Sequence, residues 1–246
     1  MRSVSAPRIS FVYPNKDLLA LDWHAQQKGS PMRGWGMGVV VPERMIYLKH
    51  AKAARLLSDM AIKYGLIQHY LPQGATVLDV GCGSGYGADM MRSFGYKATG
   101  IDLNERTLKM ARFRPGIEFI CGKVEELTET FDGVTSVDMI EHVHQPEQAP
   151  LVKAMVARLK DKGVFLIDTP FRTESASVSK HHVWELGFGE FGWLVEQAGP
   201  WKTIDKYYTV RFYDTYTVCI RANGKPPENP DRDNIIVDNQ IIIATR

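Results

Sequence analysis

One stretch of nine residues limits what this chain can fold into more than any other feature. Residues 77–85 read Val-Leu-Asp-Val-Gly-Cys-Gly-Ser-Gly, a short apolar run that passes directly into a loop with three glycines. A glycine-rich turn after a β-strand lets the backbone approach a ligand closely, because glycine has no side chain to intervene. The stretch therefore predicts the first strand and the ligand-binding loop of an α/β fold.

The rest of the chain alternates between short apolar runs typical of strands and segments with helical spacing. Strands are predicted at residues 75–80, 97–102, 117–121, 133–138, 163–168, 203–210 and 215–221, with helices at 88–94, 105–113, 147–159 and 188–197. This order predicts a mostly parallel, doubly wound sheet with helices on both faces. The last two of these strands have no helix between them, so we expect an antiparallel hairpin at one edge.

The 246 residues suit one α/β domain with additions. We expect an N-terminal arm and helical cap over residues 1–70, a core over 71–223, and a C-terminal extension over 224–246 that packs on the core. Within that extension, residues 235–243 are predicted to add an edge strand or to pack against the cap. The pattern does not indicate an oligomeric state.

Composition limits which partners the chain can bind and which cellular compartment suits it. A net charge of +2 is weak evidence for nucleic-acid binding, which usually needs a clustered basic excess. The three cysteines form no Cys-x-x-Cys pair, which argues against a cysteine zinc site or a disulfide framework and favours a reducing cytoplasm. No apolar run approaches the roughly 20 residues that a membrane-spanning helix needs, so we expect no membrane span.

Two acidic residues distinguish the glycine loop from a dinucleotide-binding one. Asp79 comes two residues before the loop, where a carboxylate would repel a pyrophosphate and attract an ammonium or sulfonium group. Asp102 ends the second predicted strand, where a carboxylate can accept both hydroxyls of a ribose. Tyr86 stands where a dinucleotide fingerprint would have its third glycine. Each acid alone could merely cap a turn, but together with the loop they favour S-adenosylmethionine.

The stretch at residues 77–85 resembles the first motif of the class I S-adenosylmethionine-dependent methyltransferases, and the resemblance covers about residues 50–220. It implies a Rossmann-like, seven-stranded sheet whose last strand is antiparallel. It also implies contacts to S-adenosylmethionine from a set at the ends of the first two strands: Asp79, Gly81, Cys82, Gly83, Asp102 and Leu103. Candidates to meet the adenine after the third strand are Val124, through its backbone N–H, and Glu125.

A second group of chemically active residues follows the fourth predicted strand. If the chain makes a helical turn there, Asp138, Glu141 and His142 lie on one face. His182, in the loop after the fifth strand, leaves the same edge of the sheet. Two carboxylates and two imidazoles can bind a divalent cation such as Mg²⁺, Mn²⁺, Fe²⁺ or Zn²⁺. Asp138, at the end of its strand, is also a candidate cofactor contact.

This group is similar to the Glu-x-x-Glu-His segment of two methyltransferase subfamilies, the ubiquinone-biosynthesis O-methyltransferases and the small-RNA 3′-terminal 2′-O-methyltransferases. In the second subfamily the segment binds a metal together with a later histidine, to which His182-Val183-Trp184-Glu185 is similar. Asp138 replaces the first Glu, and its shorter side chain favours contact through water. Many small-molecule methyltransferases use no metal, so His142 or His182 could instead act as a general base or orient the acceptor.

The resemblance implies transfer of a methyl group from S-adenosylmethionine by in-line attack of an acceptor atom. O-methylation of a small hydroxylated molecule is favoured, since a histidine can take the proton of a hydroxyl and vicinal hydroxyls suit a metal site. One alternative is 2′-O-methylation of an RNA 3′-terminal ribose, although no basic groove or RNA-binding domain is evident. Another is N-methylation of a small molecule. The intact loop and Asp102 argue against a non-catalytic cofactor-binding protein.

Overall fold

The computed structural model describes residues 59–172, 181–212, 216–221 and 235–246. The arm and cap predicted for residues 1–70 therefore lie mostly outside the described residues, which contain only a short helical segment at 59–65 and the 3₁₀ turn Leu66–His69 of that range. The chain divides between residues 123 and 124 into two compact units. No helix in the described ranges is long and apolar enough to cross a membrane.

The first unit contains three parallel strands, β1 (Thr76–Val80), β2 (Lys97–Asp102) and β3 (Glu118–Cys121), in the order β3-β2-β1. Helices α1 (Tyr86–Ser93) and α2 (Glu105–Ala111) make the crossovers that parallel neighbours require. Helix α2 begins where the sequence provides an N-cap, because the Asn104 side chain accepts a hydrogen bond from the backbone N–H of Arg106.

The second unit contains five strands in the order β4-β5-β8-β6-β7, together with two helices. Their bounds are β4 (Phe131–Ser136), α3 (Gln145–Ala157), β5 (Leu159–Pro170), α4 (Phe188–Glu196), β6 (Thr203–Phe212), β7 (Tyr216–Arg221) and β8 (Ile235–Thr245). Strands β4 and β5 are parallel, whereas β8 is antiparallel to both β5 and β6. The predicted α/β, Rossmann-like class and the antiparallel last strand are confirmed.

One prediction about the C-terminal half was wrong. Strand β8 is neither an edge strand nor an extension packed on a core that ends at residue 223, because it pairs along its length with β5 on one side and β6 on the other. Among the described residues, β7 pairs with β6 as a hairpin strand at the edge of the sheet and brings the number of strands to eight. The run Ile241–Ala244 is completely buried, as expected for a strand with neighbours on both sides.

Candidate cofactor and catalytic sites

The glycine loop of the first unit has a backbone that only glycine adopts easily. Gly81, Gly83 and Gly85 all have positive φ angles, of 73°, 52° and 80°. Gly85 also lacks room for a side chain, because a Cβ atom there would lie 2.7 Å from Cζ of Phe119. At Gly83 the space where a Cβ would project is open to a distance of 4 Å. The loop is therefore packed on the side of Gly85 and open at Gly83.

Asp102 connects the end of β2 to this loop. Its Oδ2 accepts a hydrogen bond from the backbone N–H of Gly83 at 2.8 Å, and its Oδ1 accepts one from the N–H of Asn104 at 2.8 Å. Each carboxylate oxygen can accept more than one hydrogen bond, so both can still receive a ribose hydroxyl. Leu103, the next residue, leaves 69% of its surface exposed, which is unusual for a large apolar side chain and suits contact with a flat, apolar ring.

Asp79 is less accessible than the sequence analysis expected. Its side chain is 1% exposed, and Oδ1 accepts a hydrogen bond from the hydroxyl of Tyr64 at 3.1 Å. The buried carboxylate can still act on a cationic ligand group through its electric field, without direct contact. The hydrogen bond between Tyr64 and Asp79 is possible because helix α1 has a glycine at position 87. A Cβ atom there would overlap with the Tyr64 hydroxyl.

The predicted cofactor contact of Cys82 stays a prediction, and its side chain is buried beside the loop. This thiol is buried in an apolar cluster with Leu108 and Ala111, against which Phe119 packs. Its backbone N–H is also engaged, donating to the carbonyl of Ile101 at 3.1 Å. Burial, followed by the negative charges of Asp79 and Asp102, raises the pKa of the Cys82 thiol far above its ordinary value. The residue contributes to the core beneath the loop.

The second unit begins with the two candidates for adenine contact. Val124 starts the 3₁₀ turn Val124–Glu126 and is buried, whereas Glu125 in the same turn is exposed. A buried valine side chain contributes to packing, so its backbone remains the part that could meet a ligand, as predicted. The exposed carboxylate of Glu125 is free to rotate towards a polar ligand.

The second unit brings together three of the four predicted catalytic or metal-binding residues. Glu141 and His142 lie in the 3₁₀ turn Ile140–His142, which follows β4. They form a group with His182 in which one potential ligand atom from each residue lies within 4.8 Å of the others. The rings of His142 and His182 meet edge to face with centroids 5.1 Å apart. The predicted proximity of these residues at the end of the sheet is thus observed.

Hydrogen bonds fix the orientation of both imidazoles. Nδ1 of His142 lies 2.9 Å from the carbonyl oxygen of His181, which can only accept, so Nδ1 carries the proton. Nδ1 of His182 lies 2.5 Å from Oε1 of Glu185, a side chain that is 7% exposed. In each ring the other nitrogen, Nε2, is then the one with a lone pair for a proton or a metal ion.

Glu141 ties the two histidine-bearing segments together. Its carboxylate is almost completely buried, and Oε2 accepts a hydrogen bond from the hydroxyl of Thr169 at 3.3 Å. Its backbone carbonyl accepts hydrogen bonds from the N–H groups of Val183 at 2.8 Å and Trp184 at 3.0 Å. The loop that carries His182 is therefore fastened directly to the turn that carries His142.

The structure does not place Asp138 in this group. The chain turns there with a φ of 49°, a left-handed conformation that aspartate tolerates better than most residues, and the helical turn starts two residues later. Asp138 Oδ1 accepts a hydrogen bond from Nδ2 of Asn239 at 3.0 Å, and its N–H donates to Asp168 Oδ1 at 3.2 Å. The predicted spacing on one helical face does not hold, because Asp138 has a left-handed φ and precedes the helical turn Ile140–His142.

Several contributing residues were not among the predicted site residues. Glu185 was visible in the sequence, three residues after His182, but a carboxylate at that spacing often has no partner. Thr169 and Asn239 gave no local signal, because Thr169 of β5 contacts the turn after β4 and Asn239 reaches Asp138 from β8. Tyr64 belongs to an apolar helical pattern in which a tyrosine usually indicates packing.

Comparison with known proteins agrees with this geometry. A family model described as a methyltransferase domain matches residues 47–215. The ubiquinone biosynthesis O-methyltransferase of Idiomarina loihiensis is 35% identical over 119 residues, 44% of this chain and 48% of that protein. The chain spans about half the length of the curated relatives it matches.

Two solved structures show the same fold. A methyltransferase from Thermotoga maritima, described as a possible histamine N-methyltransferase, has a TM-score of 0.59 and 18% identity, covering 81% of this chain and 96% of that one. The 1,6-didemethyltoxoflavin-N1-methyltransferase of Burkholderia thailandensis, solved with S-adenosylhomocysteine, has a TM-score of 0.54 and 18% identity, covering 83% and 87%. At this level of identity the likeness concerns the fold alone.

Parallel strands with helical crossovers, a loop with three left-handed glycines and a carboxylate at the end of β2 define a Rossmann-like nucleoside-binding protein. The family match covers more than half of the chain, so the protein belongs to the methyltransferase-domain family, within the class I S-adenosylmethionine-dependent methyltransferases. The resemblance to the small-RNA 2′-O-methyltransferases stays a prediction.

Proposed function

We propose that this chain transfers the methyl group of S-adenosylmethionine to an oxygen of a small hydroxylated acceptor. The observation that carries the proposal is the pair of histidines, His142 and His182, in the second unit. In each ring Nδ1 is hydrogen-bonded to an oxygen acceptor, which leaves Nε2 as the nitrogen with a lone pair. The name of the ubiquinone biosynthesis relatives supports oxygen as the receiving atom. Bound S-adenosylmethionine supplies an activated methyl group, so the protein must position the acceptor and remove its proton.

In this proposal the first unit holds the cofactor. Asp102 accepts the ribose hydroxyls while it keeps Gly83 in place, and Leu103 lies against the adenine. Gly81 and Gly83 let the backbone come close to the amino-acid part of the cofactor, and buried Asp79 favours the positive charges there. The adenine contacts of Val124 and Glu125 and the cofactor contact of Asp138 stay predictions from the sequence.

His182 is proposed to accept the acceptor's proton. Glu185 takes the hydrogen bond from Nδ1, which keeps Nε2 in the form that can receive a proton and holds the ring in one orientation. His142 lies edge-on to His182 and is proposed to orient the acceptor hydroxyl. Buried Glu141 joins the two segments through its backbone carbonyl, which accepts from the loop that carries His182.

A divalent cation is the second candidate for this step, favoured by the grouping of Glu141, His142 and His182. Two imidazole nitrogens and a carboxylate oxygen suit Zn²⁺, Fe²⁺ or Mn²⁺, and such an ion would lower the pKa of an acceptor hydroxyl. Ligands of one ion at about 2.1 Å lie at most about 4.2 Å apart. The donor atoms lie within 4.8 Å of one another, so the group needs at most a small adjustment to hold an ion.

A screen with labelled S-adenosylmethionine tests the reaction. Phenols, catechols, sugars, small amines and short RNA would each be incubated with the protein, and the product's methylated atom identified by mass spectrometry. We expect label on the oxygen of a phenol or catechol. Label only on nitrogen, or only on RNA, would contradict the proposed acceptor, and each outcome identifies one of the alternatives.

His182→Gln tests the catalytic role once an acceptor is found. Loss of a general base typically costs about 10²–10⁴-fold in rate, so we expect kcat to fall in that range with unchanged affinity for S-adenosylhomocysteine. His144→Gln is the matched control, because His144 is exposed and its side chain makes no cap hydrogen bond. Metal analysis and activity assays with a chelator decide between the histidine base and the divalent cation. Activity that is lost on chelation and restored by adding an ion would support the cation.

A further inference from the structure

We propose that Arg114 is a positioning residue for the glycine loop, fixing the limb of the loop formed by Ser84, Gly85 and Tyr86. The inference rests on the proposed cofactor site, because it concerns how that site keeps its shape. Arg114 follows helix α2 and lies outside the first motif, so neither the glycine pattern nor the flanking acids point to it.

The guanidinium of Arg114 makes three contacts on different parts of the loop and of helix α1. Nε donates to the backbone carbonyl of Ser84 at 3.0 Å, and Nη1 donates to Oδ2 of Asp89 at 3.0 Å. Its central carbon lies 4.1 Å from the centroid of the Tyr86 ring. A single planar cation thus holds the loop's backbone, the first residue of α1 and a residue one turn further along.

The Arg114 side chain is 7% exposed, and that of Asp89 is 4% exposed. A buried arginine must have its donors matched by acceptors, and here a loop carbonyl is one of those acceptors. The need to satisfy the guanidinium therefore holds the Ser84 carbonyl in place. Asp89 also accepts hydrogen bonds from Arg92, through Nε at 3.0 Å and Nη2 at 2.8 Å. The negative charge of Asp89 therefore keeps a cationic partner when Arg114 is replaced.

The contact with Arg114 accounts for the tyrosine at position 86. It occupies the position where a dinucleotide-binding loop has its third glycine, and here its ring forms the face on which the guanidinium lies. A glycine at that position would leave the cation without this surface. The departure from the dinucleotide pattern is therefore part of the loop's support.

The anchored carbonyl lies between two flexible residues. Ser84 is flanked by Gly83 and Gly85, both with positive φ, so the segment would otherwise have considerable conformational freedom. Gly83 also donates its N–H to Asp102. Displacement of Ser84 would move Gly83 and disturb the carboxylate proposed to bind the ribose.

Arg114→Lys is the variant that separates positioning from charge. Lysine keeps a positive charge near Asp89, but its ammonium cannot lie flat on Tyr86 while donating to both Ser84 and Asp89. We expect the dissociation constant for S-adenosylhomocysteine, measured by calorimetry on the full chain, to rise about tenfold, equivalent to about 1.4 kcal/mol. Amide hydrogen exchange should accelerate at residues 83–86 and stay unchanged in β2 and β3.

The control is Arg112→Lys, two residues away, whose partner Glu105 forms an exposed ion pair with it. It should bind S-adenosylhomocysteine as the wild type does. If Arg114→Lys does not fold, Tyr86→Leu replaces it, since it removes the surface that orients the guanidinium and should weaken binding severalfold.

The inference is overturned if a folded Arg114→Lys, or failing that a folded Tyr86→Leu, binds within twofold of the wild type. A variant that loses thermal stability but keeps both its affinity and its exchange rates at residues 83–86 also overturns it, because a purely structural role predicts that result. Failure of the wild type to bind S-adenosylhomocysteine would instead remove the proposed function, so the two failures are distinguishable.

Discussion

At the scale of single residues, the constraint on Asp79 is steric as well as electrostatic. Gly87 lies within helix α1, where its missing side chain leaves room for the Tyr64 hydroxyl to reach Asp79. A Cβ there would overlap with that hydroxyl and lie 2.7 Å from Oδ2 of Asp79. The glycine is therefore required by the close approach of two side chains, and not by its backbone conformation.

Replacing Gly87 with alanine should reverse the usual effect of such a change. Glycine to alanine within a helix commonly stabilises by about 1 kcal/mol, whereas overpacking a filled site costs about 1–3 kcal/mol. We expect the clash to dominate and the free energy of unfolding to fall by about 1–2 kcal/mol in urea denaturation. Gly189→Ala in helix α4 is the control, since a Cβ there meets nothing within 4 Å and should be neutral or stabilising. Equal effects at the two positions would contradict this account.

The Cys82 thiol should be chemically silent in the folded protein. Burial and the nearby carboxylates raise its pKa, so it stays protonated as the pH rises past the value where an unfolded cysteine ionises. Alkylation requires the thiolate, and iodoacetamide at pH 8 should label Cys82 only after unfolding, as read by peptide mass spectrometry. Labelling of native Cys82 at the rate of a denatured control would show that the core beneath the loop is open.

At the scale of elements, the candidate catalytic site depends on how one loop is joined to one turn. Gln148 of helix α3 is 2% exposed, and its two Nε2 hydrogens are shared among the carbonyls of Ile140, Val143 and Trp184, which lie 3.0, 3.2 and 3.3 Å from Nε2. These carbonyls belong to the turn that bears His142 and to the loop that bears His182. A single amide therefore holds both segments against the helix.

The substitution Gln148→Leu tests whether this amide holds the turn and the loop in place. It preserves much of the volume but leaves buried carbonyls without their donor, which typically costs about 1–3 kcal/mol for such a group. We expect a comparable loss in the free energy of unfolding and a lower rate of methyl transfer, since both histidines would be less firmly held. Gln145→Leu, an exposed position on the same helix, should change neither. An unchanged unfolding midpoint for Gln148→Leu would contradict the proposed role of this amide in holding the two segments.

The strands show which elements local patterns can and cannot predict. Strands β1 to β5 and the β6–β7 hairpin were predicted near their observed positions, because period and turn residues are local properties. The place of β8 was not predicted, since insertion of the last strand between β5 and β6 depends on pairing across many residues. The buried run Ile241–Ala244 was the available signal, because such a run is typical of an interior strand.

At the scale of the whole molecule, the sequence predicted the fold class and the family better than the details of either site. The glycine loop and Asp102 were found because their geometry follows from a short motif. Asp138 was assigned to the wrong face because a left-handed residue cannot be recognised from spacing alone. Glu185 and Arg114 were missed as contributors because each acts through a partner that only the folded chain brings close.

The most direct test of the central claim is calorimetric titration of the full chain with S-adenosylmethionine and S-adenosylhomocysteine. We expect saturable binding of both by the wild type, and we expect Asp102→Ala to weaken it at least about tenfold, since hydrogen bonds to a charged group contribute about 1.5–3 kcal/mol. Glu118→Ala, which removes an exposed carboxylate from β3, should bind like the wild type. Absence of wild-type binding, or an Asp102→Ala variant with wild-type affinity, would contradict the account.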